Sequence, residues 1–257
     1  MLRYRLTQVL FFVLLTGIIL ADLFSEVPGY FYVLPFVIYL AIIFYASYFI
    51  NSGFFVKAIC SGNEDKKQIA LTFDDGPDPL HTPRILDVLK KNNIKATFFL
   101  IGKKIKGNEG LVERIYNEGH IVGNHTYSHS FWIDFNPSSR IREELLSTEK
   151  EIENVINKKI RYFRPPYGVT NPMIAKALSG MKYAVIGWNI RSMDTVEKDN
   201  LNLCEKVISQ LKPGSIILFH DTRPELDKVL ETVIMESKRQ GYEISPLNEL
   251  TNLQAYA

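Results

Sequence analysis

Two long runs near the start of the chain carry no charged residue: positions 6–21 and positions 27–56. A helix crossing a bilayer core needs about 20 consecutive apolar residues. The second run offers 30 uncharged positions and predicts a membrane span. Pro35 lies near its start, where a helix tolerates proline best. Tyr30, Tyr32, Tyr45 and Tyr48 are amphipathic aromatics of the kind found at membrane interfaces. The first run follows Arg3 and Arg5 and is strongly apolar. It reads as an uncleaved first span rather than a signal peptide, because Ile19-Leu20-Ala21 has no small residue at the third position back from a cleavage point. Residues 22–29 then form a tight loop turned by Pro28 and Gly29. The expected organisation is a membrane anchor over 1–57, with spans at about 6–24 and 30–52, a linker over 58–67 and a folded domain over 68–250.

After Lys57 the pattern changes to short apolar runs alternating with amphipathic ones. Residues 68–73, 96–101, 120–123, 161–164, 183–188, 215–219 and 242–245 read as strands. Helices are expected over 82–93, with Thr82 as cap and Pro83 at its first position, and over 111–117, ended by Gly119. Further helices are expected over 138–157, 171–178, 201–211 and 224–239. The 138–157 helix carries a stripe of Ile141, Leu145, Ile152 and Val155. About seven strands alternating with helices imply parallel strands with crossover helices, an α/β fold. A barrel and an open doubly wound sheet both fit that alternation.

Charge narrows the partners. The chain has 30 basic and 28 acidic residues, a net charge of +2. No polybasic face emerges, so nucleic acid is not an expected partner. The two cysteines, Cys60 and Cys204, follow no metal-type spacing and read as unpaired thiols.

The informative polar residues fall just after the apolar strand runs, the edge that holds active sites in parallel barrels and sheets alike. Thr72-Phe73-Asp74-Asp75-Gly76-Pro77 ends one strand with two adjacent carboxylates. These can point apart and do two jobs. His125-Thr126-Tyr127-Ser128-His129 puts two histidines at i and i+4, expected on one face of a helical turn, a spacing that can grip a zinc ion. In Arg164-Pro165-Pro166-Tyr167-Gly168 a permanent cation precedes a stiff turn. Leu218-Phe219-His220-Asp221 ends a buried strand with a candidate general acid or base. One Asp and two His make a three-ligand zinc set with an open position. With a spare Asp and a spare His, the parts suffice for metal-assisted hydrolysis of an acyl group. His81 and His120 fall outside this pattern and read as structural.

These motifs, in this order, resemble the polysaccharide deacetylases of carbohydrate esterase family 4, the NodB-homology domain. The resemblance spans roughly residues 68–246 and implies a distorted (β/α) barrel of about seven parallel strands. It implies a metal-dependent deacetylase of N-acetylated sugars, with zinc the expected ion and cobalt or nickel compatible with the same ligands. By resemblance, Asp74 is the general base, and Asp75, His125 and His129 are the metal ligands. Arg164 orients the base, and the Tyr167 N–H donates to the oxyanion. His220 is the general acid, Asp194 tunes it, and Leu218 lines the acyl pocket. One departure is visible: Arg191 and Thr195 stand where the family often has aspartate and tryptophan, which affects the sugar groove rather than the core chemistry.

Several readings of substrate stay open at this level. The expected substrate is an amino-sugar polysaccharide such as peptidoglycan or a surface glycan. The alternative is a lipid-linked sugar at the membrane face, from which acetyl or formyl is removed. An inactive membrane-held binding module would have lost the base or a ligand, and none is lost here. The lipid bilayer is the other expected partner, with the protein multi-pass in the cell membrane. The basic start favours the cytoplasm for residues 1–5, and two spans return the domain to that side. A wall-polymer deacetylase is expected outside.

Overall fold

The computed structural model describes residues 2–257. Two helices, α1 (Leu2–Asp22) and α2 (Tyr30–Tyr48), form an antiparallel hairpin outside the domain. Both are long and apolar enough to cross a membrane, a property that signal sequences share. Pro35 and Ala46 of α2 are buried; the other described residues of the two helices are exposed or partly exposed. The hairpin brings the start of α1 beside the end of α2: Arg3 donates to the Ser52 carbonyl at 3.3 Å, and the Tyr4 ring meets Phe55 at 5.3 Å.

The domain follows, with strands and helices largely alternating. In chain order it contains β1 (Ala58–Ile59), β2 (Gln68–Gly76), α3 (Thr82–Lys91), β3 (Thr97–Leu100), α4 (Gly102–Ile105), α5 (Glu109–Asn117), β4 (Ile121–Asn124), α6 (Ser138–Ile156) and β5 (Tyr162–Phe163). Then come α7 (Pro172–Leu178), β6 (Ala184–Ile186), β7 (Ile190–Arg191), α8 (Asn200–Ser209), β8 (Ser215–His220), α9 (Leu226–Arg239), β9 (Glu243–Ile244) and α10 (Leu247–Thr251).

All nine strands pair in parallel in one sheet, in the order β1-β6-β5-β4-β3-β2-β8-β7, with β9 also on β2. The sheet curls into a distorted barrel because one continuous segment serves both of its ends. Its first half, β6, pairs with β5; its second half, β7, pairs with β8. Between them Asn189 donates its backbone N–H to Ile216 at 3.2 Å. The open-sheet alternative is thereby excluded.

The strands are near-continuous apolar runs because helices cover them. Phe73, Phe98 and Phe219, from three adjacent strands, stack at 4.9 and 6.0 Å and are fully buried. Amphipathic helices close over this layer: Ile85, Leu86 and Leu89 from α3, Val229, Leu230 and Val233 from α9.

Some boundaries differ from expectation. Ala58–Ile59, within the stretch expected as linker, is a strand on β6. Two residues are too short for a periodic signal. Thr82 is the first helical residue of α3 rather than its cap. Its hydroxyl is buried, accepting from the Asp78 N–H at 2.8 Å and donating to Asp221. Cys60 and Cys204 are free thiols, as expected.

Phe98→Ala would empty one end of the stacked layer, a loss of about 3–5 kcal/mol. Urea unfolding of the variant should show its midpoint well below that of the parent, with the slope unchanged.

Candidate active site

The four motifs converge where the strands end. In a regular strand, adjacent side chains point to opposite faces. Here β2 is interrupted by a bulge between Asp74 and Gly76, and Asp75 adopts a left-handed backbone with φ 74°. A bulge re-aims a side chain in this way. Both carboxylates therefore reach the same opening, but toward different partners.

Asp74 faces Arg164. The guanidinium is fully buried inside the barrel, where its Nη1 donates to Asp74 Oδ1 at 2.7 Å and to Thr72 Oγ1 at 2.8 Å. Its Nε and Nη2 donate to the carbonyls of Ile186 and Gly187 at 3.2 and 2.8 Å. Its flat face lies 4.2 Å from the Phe99 ring. Burial pushes the Asp74 carboxyl above its ordinary pKa, and the Arg164 charge and hydrogen bond pull against that rise.

Asp75 faces the histidines. Its Oδ1 lies 3.6 Å from His125 Nε2 and 3.3 Å from His129 Nε2, is buried, and accepts no hydrogen bond. One ligand atom from each of Asp75, His125 and His129 lies within 4.8 Å of the others. The His125 Nδ1–H donates to the Arg164 carbonyl at 2.8 Å, which leaves the Nε2 lone pair directed into the cluster. Burial, with His129 beside it, pushes the His125 imidazole down to about 3, so it is neutral. A neutral imidazole and an unpartnered carboxylate oxygen are what a divalent metal needs. These residues fit such an ion.

The pair of histidines does not sit on a helical turn, as its spacing suggests. Residues 125–130 form a loop in which Thr126 and His129 take left-handed backbone conformations, φ 65° and 48°. Side chains that the sequence reading missed hold this loop. Glu144, buried on α6, accepts from the Tyr127 and Ser128 N–H groups at 3.0 and 2.6 Å. Asn124 accepts from the Thr126 N–H at 2.9 Å. The signal for Glu144 was a carboxylate lying on the apolar stripe beside Ile141 and Leu145.

Opposite stands His220, register partner of Asp74. Its Nδ1–H donates to Asp194 Oδ1 at 2.7 Å, and its backbone N–H donates to Asp194 Oδ2 at 2.7 Å. Burial alone would depress this imidazole, but the Asp194 hydrogen bond and charge outweigh it and raise its pKa above the ordinary value. Ser192 donates to Asp194 Oδ1 at 2.9 Å, and Arg223 donates to the Asp194 carbonyl at 2.9 Å.

Tyr167 lies on the rim with φ 58°, a strained conformation for a side chain of its size. Its ring packs 4.9 Å from His129. Gly168, φ 72°, passes so close to the Trp188 ring that a Cβ would sit 2.4 Å from it. Leu218 is buried in β8 beside Arg191 of β7. His120 accepts from the Ala96 N–H at 3.1 Å, away from this cluster.

A curled, all-parallel barrel with paired carboxylates, two histidines and a buried arginine at its C-terminal edge has the parts that metal-assisted hydrolysis requires. The chain belongs to the polysaccharide deacetylase family, that is carbohydrate esterase family 4 with its NodB-homology domain. The family profile, described as polysaccharide deacetylase, matches residues 61–186. A peptidoglycan-N-acetylglucosamine deacetylase of Bacillus cereus is 38% identical over 162 residues, 63% of this chain and 58% of that protein. The match spans only 39% of the peptidoglycan-N-acetylglucosamine deacetylase PgdA of Listeria monocytogenes, at 35% identity over 184 residues. The peptidoglycan-N-acetylmuramic acid deacetylase PdaA of Bacillus subtilis is 33% identical over 193 residues, 74% of this chain and 73% of that one. Among solved structures, the Bc1960 peptidoglycan N-acetylglucosamine deacetylase superposes with TM-score 0.72 at 32% identity, covering 77% of this chain and 94% of that one.

Arg164→Ala leaves the Asp74 carboxylate buried without its partner, an uncompensated charge worth about 3–5 kcal/mol. Chemical denaturation is expected to register that loss. Dialysis against zinc followed by elemental analysis should find one bound ion per chain, and almost none in Asp75→Ala or His129→Ala.

Proposed function

We propose that the chain is a metal-dependent hydrolase that removes N-acetyl groups from an amino-sugar glycan of the peptidoglycan type. The observation that carries this reading is the division of labour between two adjacent carboxylates. Asp75 presents an unpartnered oxygen to two imidazole Nε2 atoms, while Arg164 holds Asp74 Oδ1 and leaves Asp74 Oδ2 3.8 Å from His125 Nε2.

Asp75, His125 and His129 would hold the divalent ion, with zinc the ion that suits two imidazoles and a carboxylate. When bound, the ion supplies Lewis acidity at the acyl oxygen and a more acidic water. The chain's own groups do the rest. Asp74 accepts a proton from the attacking water, and Arg164 fixes the carboxylate in the orientation for that transfer. The Tyr167 N–H, on its strained rim turn, donates to the oxygen that gains charge as water adds to the acyl carbon. His220, whose pKa the Asp194 hydrogen bond and charge raise, presents Nε2–H toward the nitrogen. As the C–N bond breaks, that proton passes to the departing amine, leaving acetate and a free amino sugar. Leu218 walls the space for the acyl methyl.

The apolar hairpin is read as the anchor, residues 1–57, with the catalytic domain over 68–250. A second substrate reading is supported by the hairpin itself. The start of α1 and the domain lie at the same end, where Arg3, Arg5 and Lys57 also lie. The charge rule would put that end in the cytoplasm, where a lipid-linked sugar rather than wall polymer is within reach.

The test is acetate release from N-acetylated chitooligosaccharide and from peptidoglycan by the zinc-loaded full chain. Acetate from either substrate, lost on chelation and regained with zinc, is expected. A fully metal-loaded chain that frees acetate from no N-acetylated sugar, polymeric or lipid-linked, would sink the reading. Removing the base or the acid should cost about 10²- to 10⁴-fold in kcat, so His220→Ala should retain the fold and the metal but little turnover, and Asp74→Asn should also lose stability because the buried Arg164 charge is left unmatched. In Asp194→Asn the His220 imidazole loses the charge that raises its pKa. The protonated acid then disappears at lower pH. The alkaline limb of the kcat/KM profile should shift down by about 1 pH unit or more.

A further inference from the structure

A strip of aromatic side chains runs outward from the site. The Tyr167 ring contacts Phe131 at 6.1 Å, Phe131 contacts Trp132 at 5.1 Å, and Trp132 contacts Phe135 at 5.8 Å. Phe131, Trp132 and Phe135 are 68%, 64% and 80% exposed. Ile133, between them, is buried and pins the short 3-10 turn Ile133–Phe135 to α6 and α7. Asp134, the one acid in the turn, is half-buried with its Oδ1 shielded from solvent. The turn thus shows water an almost purely aromatic surface, where each Å² of exposed apolar area costs about 25 cal/mol.

The position of this turn says what covers it. The Asp134 carbonyl accepts from the Asn171 side chain at 2.7 Å. The neighbouring Thr170 donates its N–H to the Ser47 carbonyl, in the last turn of α2, at 3.1 Å. Ile50, just past α2, is buried, and its side chain lies 3.3 Å from where a Cβ on Gly187 would stand. Two hydrogen bonds therefore tie the aromatic turn to the end of an apolar helix. Tyr45, Tyr48 and Phe49 are exposed at that same end. Tryptophan and tyrosine concentrate at the boundary between hydrocarbon and water, and phenylalanine serves on the apolar face of interfacial segments.

We propose that the Phe131–Phe135 turn inserts into the interfacial layer of the bilayer crossed by α2, holding the mouth of the active site against the lipid surface. This rests on the reading of α1 and α2 as membrane spans. It directs the site toward sugars held close to the membrane plane rather than to strands deep in a polymer.

The test uses the full chain in proteoliposomes of phosphatidylcholine and phosphatidylglycerol. Trp132 is one of two tryptophans in the sequence, so subtracting the emission of Trp132→Phe isolates its fluorescence from that of Trp188. With lipids carrying a nitroxide near the headgroup, the Trp132 component should lose most of its intensity, and its emission should lie to the blue of tryptophan in water. Alkaline carbonate extraction is run in parallel. Full intensity and water-like emission in a carbonate-resistant chain would overturn the inserted turn and leave the anchor reading standing. Release of the chain by carbonate would overturn both. A component insensitive to nitroxide lipid but altered by N-acetylated chitooligosaccharide would assign the turn to sugar stacking and overturn the proposal.

Discussion

The buried contact between Arg164 and Asp74 organises this molecule. A guanidinium taken into a protein interior is costly unless every donor is used and the charge is matched. Here the donors reach Thr72 and Asp74 on one strand and the carbonyls of Ile186 and Gly187 on the segment that joins the two ends of the sheet. One side chain thereby ties the second strand to the closing segment across the barrel interior. Its own carbonyl orients His125. The fold's closure, the proposed base and one ligand of the candidate metal centre all pass through one residue.

Around that contact the chain departs from regular structure in several places. Asp75, Thr126, His129 and Tyr167 all have positive φ without being glycine. Such conformations cost of order 1–3 kcal/mol each and persist only where the surroundings impose them. Each of these four residues either belongs to the candidate metal cluster, follows His125 directly, or offers the rim N–H. The regular barrel supplies the stability against which the irregular edge is held, and the Glu144 and Asn124 side chains supply the local restraint.

Much of this was legible in the residues. Alternating apolar and amphipathic runs predict parallel strands and crossover helices, and the polar motifs fall at the strand ends, where the structure brings them together. The pairing of Asp74 with Arg164, and of His220 with Asp194, also follows the family resemblance. Conformations set by tertiary contacts were not legible. The i, i+4 histidines suggest a helical turn, yet two left-handed residues and a carboxylate from a distant helix shape a loop instead. Strands of two residues, such as Ala58–Ile59 and Ile190–Arg191, carry no periodicity. The alternation alone also could not choose between barrel and open sheet, because that choice depends on one segment pairing at both ends.

We propose that Asp75, His125 and His129 hold the ion while Arg164 holds Asp74 Oδ1. X-ray absorption at the zinc edge, on the loaded full chain, examines this most directly. A shell of nitrogen and oxygen at about 2.0–2.2 Å is expected, with the outer scattering of two imidazoles that drops to one in His129→Ala. Sulfur in that shell, or fewer than two imidazoles in the parent, would contradict it.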